Sequence, residues 1–224
     1  MEQQSIAIDG PSGAGKSTLA RLTARDFGII HVDTGALYRA IGLFVRRRET
    51  GSRDGDAIAR LLPEIKIALE FDGNGAQRVL LGGEDVSDAI RTPEASRYAS
   101  DVSALKPVRA FLLGTQRDLA GASDVVMDGR DIGTVVLPSA GVKVFLTASP
   151  EVRAERRLLE LREKGVETTY GEVLSDIITR DGNDSSRREA PLREADGAVR
   201  LDTSELTLPE SFEVLRKIIA ERLR

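Results

Sequence analysis

The stretch IDGPSGAGKST, residues 8–18, limits the possible folds more than any other part of the chain. Gly10, four further residues (Pro11, Ser12, Gly13, Ala14), then Gly15, Lys16 and Ser17 satisfy the phosphate-binding loop pattern. Such a loop works only between a strand and a helix, and the flanks supply both. Ser5-Ile6-Ala7-Ile8-Asp9 is a short apolar run of buried-strand type. After Thr18, residues 19–27 carry apolar side chains at helical spacing, and Gly28 follows as a stop. Glycines let the backbone turn tightly and aim N–H groups at phosphate oxygens, and the helix N-terminus adds its positive dipole end. Lys16 is then expected to reach the β- and γ-phosphates, and the Ser17 hydroxyl to ligate Mg²⁺ directly.

Strand-type segments recur at residues 29–32, 124–128, 142–148 and 198–202, with helical segments at 34–48, 106–120, 150–164, 170–181 and 208–224. This alternation predicts an α/β fold, a five-stranded parallel sheet flanked by helices. The rhythm breaks in IKIALEFDGNGAQRVLL, where apolar and polar residues alternate on each side of Asp72-Gly73-Asn74-Gly75. That is a hairpin signal, and GGEDVS offers a third short strand. A small antiparallel insert of this kind is either a clip over a second substrate or a surface decoration.

Composition removes several kinds of chemistry. The 224-residue chain has no cysteine, hence no disulfide, thiol nucleophile or cysteine metal site. Its one histidine, His31, lies in an apolar run and reads as a structural strand residue, so a histidine zinc site or a serine–histidine triad is not expected. A net charge of −4 argues against a general nucleic-acid binder. No apolar run is long enough to span a membrane and the first residues lack a signal-peptide pattern, so a cytoplasmic enzyme, monomeric and acting on small molecules, is expected.

A phosphate loop alone admits kinases, motor ATPases and GTPases. The Asn-Lys-x-Asp base-reading pattern of GTPases is absent. VDTGALYRA follows the second strand, with Asp33 and Thr34 positioned to cap a helix and Arg39 one turn past Gly35. VVMDGRDIGT follows the third, with Asp128 and Asp131 at the strand's end and Arg130 between them. Ligands of such sheets bind at the carboxyl ends of the strands, so both clusters face one crevice. There Asp128 can hold Mg²⁺ through water, and Arg39 and Arg130 can fork onto a phosphate, the other reading being a cap and a surface ion pair. Arg180, Asp184, Arg187 and Arg188 share one helical face by spacing, as do Arg153, Arg156 and Arg157. Each stripe is either a solvated face or a set of phosphate ligands. The polar segment LREKGVETTYGE between them has the composition of a mobile lid.

Five segments in order, DGPSGAGKST, VDTGALYRA, EDVSDAIRTPE, MDGRDIGTVV and RDGNDSSRREAPL, make the chain resemble bacterial cytidylate kinases over nearly its whole length. The resemblance implies transfer of the γ-phosphoryl group of ATP to CMP or dCMP with Mg²⁺, in pyrimidine nucleotide metabolism. It implies one phosphate-loop kinase domain with a monophosphate-side insert at about residues 62–92 and a lid at about 157–170. By motif, residues Gly10 to Thr18 together with Arg156 and Arg157 hold ATP. Thr34, Tyr38, Arg39 and Arg130 lie on the CMP side, Arg39 and Arg130 on its phosphate. Ser100, Arg109 and Asp131 read the cytosine edge with Arg187 assisting, and Arg180 and Asp184 hold the ribose. Lys16, Arg130 and Arg180 are the catalytic group. Many members have Gly-Thr after the loop lysine, whereas Ser17-Thr18 stand here. A kinase for another small acceptor, such as UMP or a polyol, and a nucleotide-binding regulator without catalysis are the competing readings.

Overall fold

A computed structural model describes residues 3–73 and 75–223. Five strands, β1 (Ser5–Asp9), β2 (Ile30–Asp33), β6 (Val125–Gly129), β7 (Val142–Thr147) and β8 (Val199–Asp202), form one sheet in the order β2-β6-β1-β7-β8. Every neighbouring pair in it is parallel. The central strand explains its own apolar run: Ile6, Ala7 and Ile8 are fully buried, because helices cover both faces of a parallel sheet.

On one face, α1 (Lys16–Phe27) and α8 (Leu208–Arg222) pack Leu19, Leu215 and Ile219 against Ile6, Ile8, Val144 and Leu146. On the other, Val32, Met127, Ile132 and Val136 pack with Ala7. A further cluster joins α2 (Thr34–Arg47), α3 (Gly55–Leu61), α4 (Pro93–Ser103) and α5 (Lys106–Ala122) through Leu37, Ile41, Ile58, Val102, Val108 and Leu112. Helices α3 and α4 were not anticipated from periodicity. Thr92 accepts the Ala95 N–H and Pro93 opens α4, a cap-and-proline start, and the buried stripe that follows is made mostly of small residues, Ala95, Ala99, Val102 and Ser103.

The antiparallel insert is β3 (Ile67–Phe71), β4 (Gln77–Leu81) and β5 (Glu84–Asp85), in that order. Its turn donates Gly75 N–H to the Asp72 carbonyl, while Asn74 of the expected turn lies outside the described residues. Val79, Leu81 and Val86 join the α2 cluster, so the small sheet packs against α2.

Two helices, α6 (Pro150–Glu163) and α7 (Tyr170–Ser186), form an arm. Ser149 caps α6 by accepting the Val152 N–H, and Thr169 with Glu172 makes a reciprocal capping box on α7. The arm has an apolar cluster of its own, Ala154, Leu158, Leu161, Val173 and Ile177, in which the described residues all belong to these helices or, with Val166, to the loop between them. Helix α7 runs on to Ser186, beyond the expected end, and Arg187 leaves it with φ −56° and ψ 136°. Arg187 and Arg188 therefore do not continue the helical face of Arg180 and Asp184. Arg187 instead turns back to pair with Asp184.

Among the described residues no helix is long and apolar enough to cross a membrane.

Candidate active site

The carboxyl ends of β1, β2 and β6 open into one cleft of about 600 Å³. It sits where the sheet's connections diverge on either side of β1, the usual ligand position in a sheet of this kind. Residues Ser12 to Thr18 form one wall, and Thr34, Tyr38, Arg39, Ser100 and Arg109 another. Asp128, Arg130 and Asp131 lie at the floor, with Arg156, Arg157, Arg180, Asp184 and Arg187 opposite. Residues more than 150 positions apart in the chain thus meet in one crevice. Gly10 and Pro11 lie at the base of the loop and are not part of the wall. A Cβ on Gly10 would stand 1.9 Å from the Leu146 carbonyl oxygen, so only glycine lets the loop leave β1 beside β7.

Helix α1 begins at Lys16 with no side-chain cap, whereas Asp33 caps α2 through the Ala36 N–H at 3.1 Å. The open N–H groups at the start of α1 face the cleft, as an anion site requires. Lys16 is 6% exposed, and its ammonium donates to the Pro11 carbonyl at 2.7 Å. Burial, reinforced by Arg130, pulls its pKa down to about 7, against the opposing carboxylate of Asp128. An arriving phosphate would restore the charge.

Asp128 ties three elements together. Its carboxylate accepts the Ser17 hydroxyl at 2.7 Å and sits 2.7 Å from His31 Nε2, and its carbonyl accepts the Thr34 hydroxyl at 2.8 Å. Burial pushes that carboxyl up, but His31, Lys16 and Ser17 together hold it below its ordinary range. His31 is thus the structural strand residue expected, and it has a specific charged partner.

Arginines crowd the opposite side. Arg130 donates to Asp184 at 2.8 Å, Arg187 also pairs with Asp184, and Arg39 donates to Asp33 at 2.6 Å. Burial favours a neutral Asp184, but Arg130 and Arg187 outweigh it and hold the carboxyl low. Arg109 pairs with Asp131, donates to the Ser103 carbonyl at 3.3 Å and lies 5.7 Å from the Tyr38 ring centre. Two guanidinium nitrogens, Arg39 Nε and Arg180 Nε, are buried with no hydrogen-bond partner. Burial and Arg130 push the Arg180 pKa down to about 10. Buried donors of this kind are completed by an acceptor, which an incoming ligand in the cleft would supply.

Arg156 is engaged with the chain itself, donating to the Thr203 carbonyl at 2.7 Å and its hydroxyl at 3.1 Å, so it fixes the loop after β8 at the cleft's edge. Three further residues matter: Asp9 and Gln77, which no sequence pattern singled out for the site, and Arg153, whose stripe with Arg156 and Arg157 offered either a solvated face or a set of phosphate ligands. Asp9 accepts the Ile132 and Gly133 N–H groups, both at 2.7 Å, and so anchors the turn after Arg130 and Asp131. Gln77 of β4 accepts the Asp33 N–H at 2.9 Å and donates to its carbonyl at 3.3 Å. Arg153, 3% exposed, is bound on all sides. No residue of the insert's strands lines the cleft; α4, which follows them, does through Ser96, Ala99, Ser100 and Ser103. The insert packs against α2 and reaches the cleft's lining through the Gln77 bonds to Asp33.

The comparison with known proteins agrees with this geometry. The family model for cytidylate kinase matches residues 6–221. A cytidylate kinase of Caldicellulosiruptor saccharolyticus is 51% identical over 219 residues, covering 98% of this chain and 95% of its own. One from Thermosipho melanesiensis is 47% identical over 219 residues, covering 98% of each. A solved structure of an uncharacterized protein from Eubacterium ventriosum superposes with a TM-score of 0.54 at 12% identity over 97% of this chain and 99% of that one, a likeness of fold alone. With a full-length family match joined to a phosphate loop and an arginine-lined cleft, the chain belongs to the cytidylate kinase family of nucleoside monophosphate kinases.

Proposed function

We propose that this chain transfers the γ-phosphoryl group of ATP to CMP or dCMP, releasing ADP and the cytidine diphosphate. The observation that carries this reading is the pair of buried, unpartnered donors Arg39 Nε and Arg180 Nε in the cleft that also holds Lys16 and the open start of α1. Lys16 with the open start of α1 can take one phosphate, and the unpartnered Arg39 and Arg180 donors are left for a second molecule's phosphate and sugar, which suits a transfer between two phosphorylated molecules.

In this reading the loop Gly10 to Thr18 cradles the ATP phosphates, with Arg156 and Arg157 at the nucleotide's other end. Arg39 and Arg130 bind the CMP phosphate beside Thr34 and Tyr38. Ser100, Arg109 and Asp131 read cytosine with Arg187, and Arg180 with Asp184 holds the sugar. An oxygen of the CMP phosphate attacks the γ-phosphorus as the bond to the β-bridging oxygen breaks, and the electron pair leaves on ADP. That attacking oxygen is already ionised, so no general base is needed. The work of the chain is positioning and charge stabilisation by Lys16, Arg130 and Arg180. Lys16 gives up the Pro11 carbonyl for the phosphates, and closure of the α6–α7 arm, with residues 157–170 as the lid, keeps water out.

The residues fit Mg²⁺ as a companion of ATP. The Ser17 hydroxyl and Asp128 carboxylate stand together at 2.7 Å, and among the described residues no group of three or more acidic, histidine or cysteine side chains could cage a metal by itself. A hard cation keeping waters and taking phosphate oxygens matches such a sparse donor set. Ser17 would bind it directly and Asp128 through water, and the ion would neutralise phosphate charge. The chain works in this reading as a cytoplasmic monomer on small molecules, with residues 62–92 as the monophosphate-side insert and no nucleic-acid or membrane partner.

A coupled ADP-release assay across nucleoside monophosphates tests the assignment. CMP and dCMP should turn over with UMP far behind, and equal use of all acceptors would overturn the cytosine reading.

A further inference from the structure

The α6–α7 arm carries Arg180 and Asp184, yet its apolar cluster includes no described residue of the sheet or the phosphate loop. One buried side chain, Arg153 of α6, bonds both α7 and the phosphate loop. Its Nε donates to the Ala148 carbonyl at 2.8 Å, at the end of β7. Its Nη1 donates to the Ser12 carbonyl of the phosphate loop at 3.0 Å. The same guanidinium makes a two-pronged pair with Asp181 of α7, at 3.1 and 2.6 Å. The stem is also in contact: a Cβ on Gly13 would come within 3.2 Å of Arg153 Cβ, so the loop's glycine lies directly on it.

Asp181 is the residue after Arg180 and three before Asp184. The guanidinium thus links the phosphate loop to the part of α7 that carries Arg180 and Asp184. The guanidinium is buried and its carboxylate partner half-buried, and a desolvated charge is a costly way merely to hold a fold together. A planar fork with fixed donors, in contrast, transmits geometry between the three groups it binds.

We propose that Arg153 and Asp181 are positioning residues that couple the two substrate subsites, so that ATP on the phosphate loop raises the affinity for CMP. The inference rests on the kinase reading above. Such coupling is reciprocal by thermodynamic necessity.

The test measures CMP binding by calorimetry with and without a non-hydrolysable ATP analogue, in wild type, Asp181→Asn and Arg153→Lys. Wild type should bind CMP at least about fivefold more tightly with the analogue present. Asp181→Asn keeps the guanidinium bonds to Ser12 and Ala148 and weakens only the link to α7. It should fold normally and bring that ratio to within about twofold, with binding of the analogue alone within about threefold of wild type. Arg153→Lys, which cannot fork, should do the same. A ratio unchanged in a folded Asp181→Asn protein, or no coupling in wild type, overturns the proposal. Failure of wild type to bind CMP or the analogue at all would instead overturn the kinase reading, which keeps the two outcomes apart. A merely structural pair would lower thermal stability and leave the ratio intact.

Discussion

Arg109 shows how a single side chain can be read in two ways until its partners are known. At the first turn of α5 the helix dipole disfavours a cation, so the helix itself gives Arg109 no reason to be there. Its pairing with Asp131 and its position over Tyr38 put it on the cleft wall. Arg109→Met removes a charge-assisted hydrogen bond worth about 1.5–3 kcal/mol if the guanidinium meets cytosine. The kcat/KM for CMP should fall about 10- to 150-fold, with ATP affinity nearly unchanged and discrimination against UMP reduced. The same change leaves the buried Asp131 without its partner, so a loss of about 1–3 kcal/mol in stability accompanies it. Steady-state kinetics beside a melting curve separate the two effects, and unchanged CMP efficiency would return Arg109 to a structural role. Lys16, Ser17 and the arginines were legible as single residues because their motifs are local. Asp9 was not legible as part of the site, and Arg153, open to reading as a phosphate ligand, was not legible as a bridge between main-chain groups. Their acceptors and donors are main-chain groups at Ser12, Ala148, Ile132 and Gly133, and main-chain partners leave no trace in residue type.

Among elements, the insert gains a definite job from Gln77. Its two hydrogen bonds fix the backbone of Asp33, and the Asp33 side chain both caps α2 and holds Arg39. Gln77→Ala should raise the KM for CMP about 2- to 12-fold, the equivalent of about 0.5–1.5 kcal/mol, while kcat and the KM for ATP stay within about twofold. Initial-rate measurements varying each substrate check this, and an unmoved CMP KM would leave the insert a purely stabilising brace. The hairpin itself was legible from its alternation and turn residues. Its role was not, because strands that pack behind a site and strands that close over one carry the same pattern. Helix α4 went unseen although its cap was in plain view at Thr92-Pro93. The extension of α7 to Ser186 went unseen because Gly182 and the Asn183-Asp184-Ser185-Ser186 run look like a helix stop. There tertiary pairing of Asp184 with Arg130 and Arg187 overrides weak propensity.

For the whole molecule, pH acts through Asp9. Burial pushes its pKa from 3.8 up to about 6 against the pull of the Ile132 and Gly133 N–H groups. A raised carboxyl pKa means the folded chain holds this proton more tightly than the unfolded one. The group therefore opposes folding increasingly as pH climbs from about 4 to about 6, and by a constant amount above that. The full displacement corresponds to about 3 kcal/mol. The melting temperature of Asp9→Asn relative to wild type should accordingly rise by several degrees between pH 4 and 6.5 and then level off. A difference that stays flat across that range would show that Asp9 titrates normally. The strand segments were readable along the chain, but their order β2-β6-β1-β7-β8 was not, since no local pattern encodes which distant strand becomes a neighbour. The apolar cluster of the α6–α7 arm, separate from the rest, carries one more consequence. Changes to the arm's exposed loop that keep Val166 in its cluster and Thr169 as the cap of α7 leave the sheet's packing untouched, so the arm can be retuned apart from the scaffold that folds around the phosphate loop.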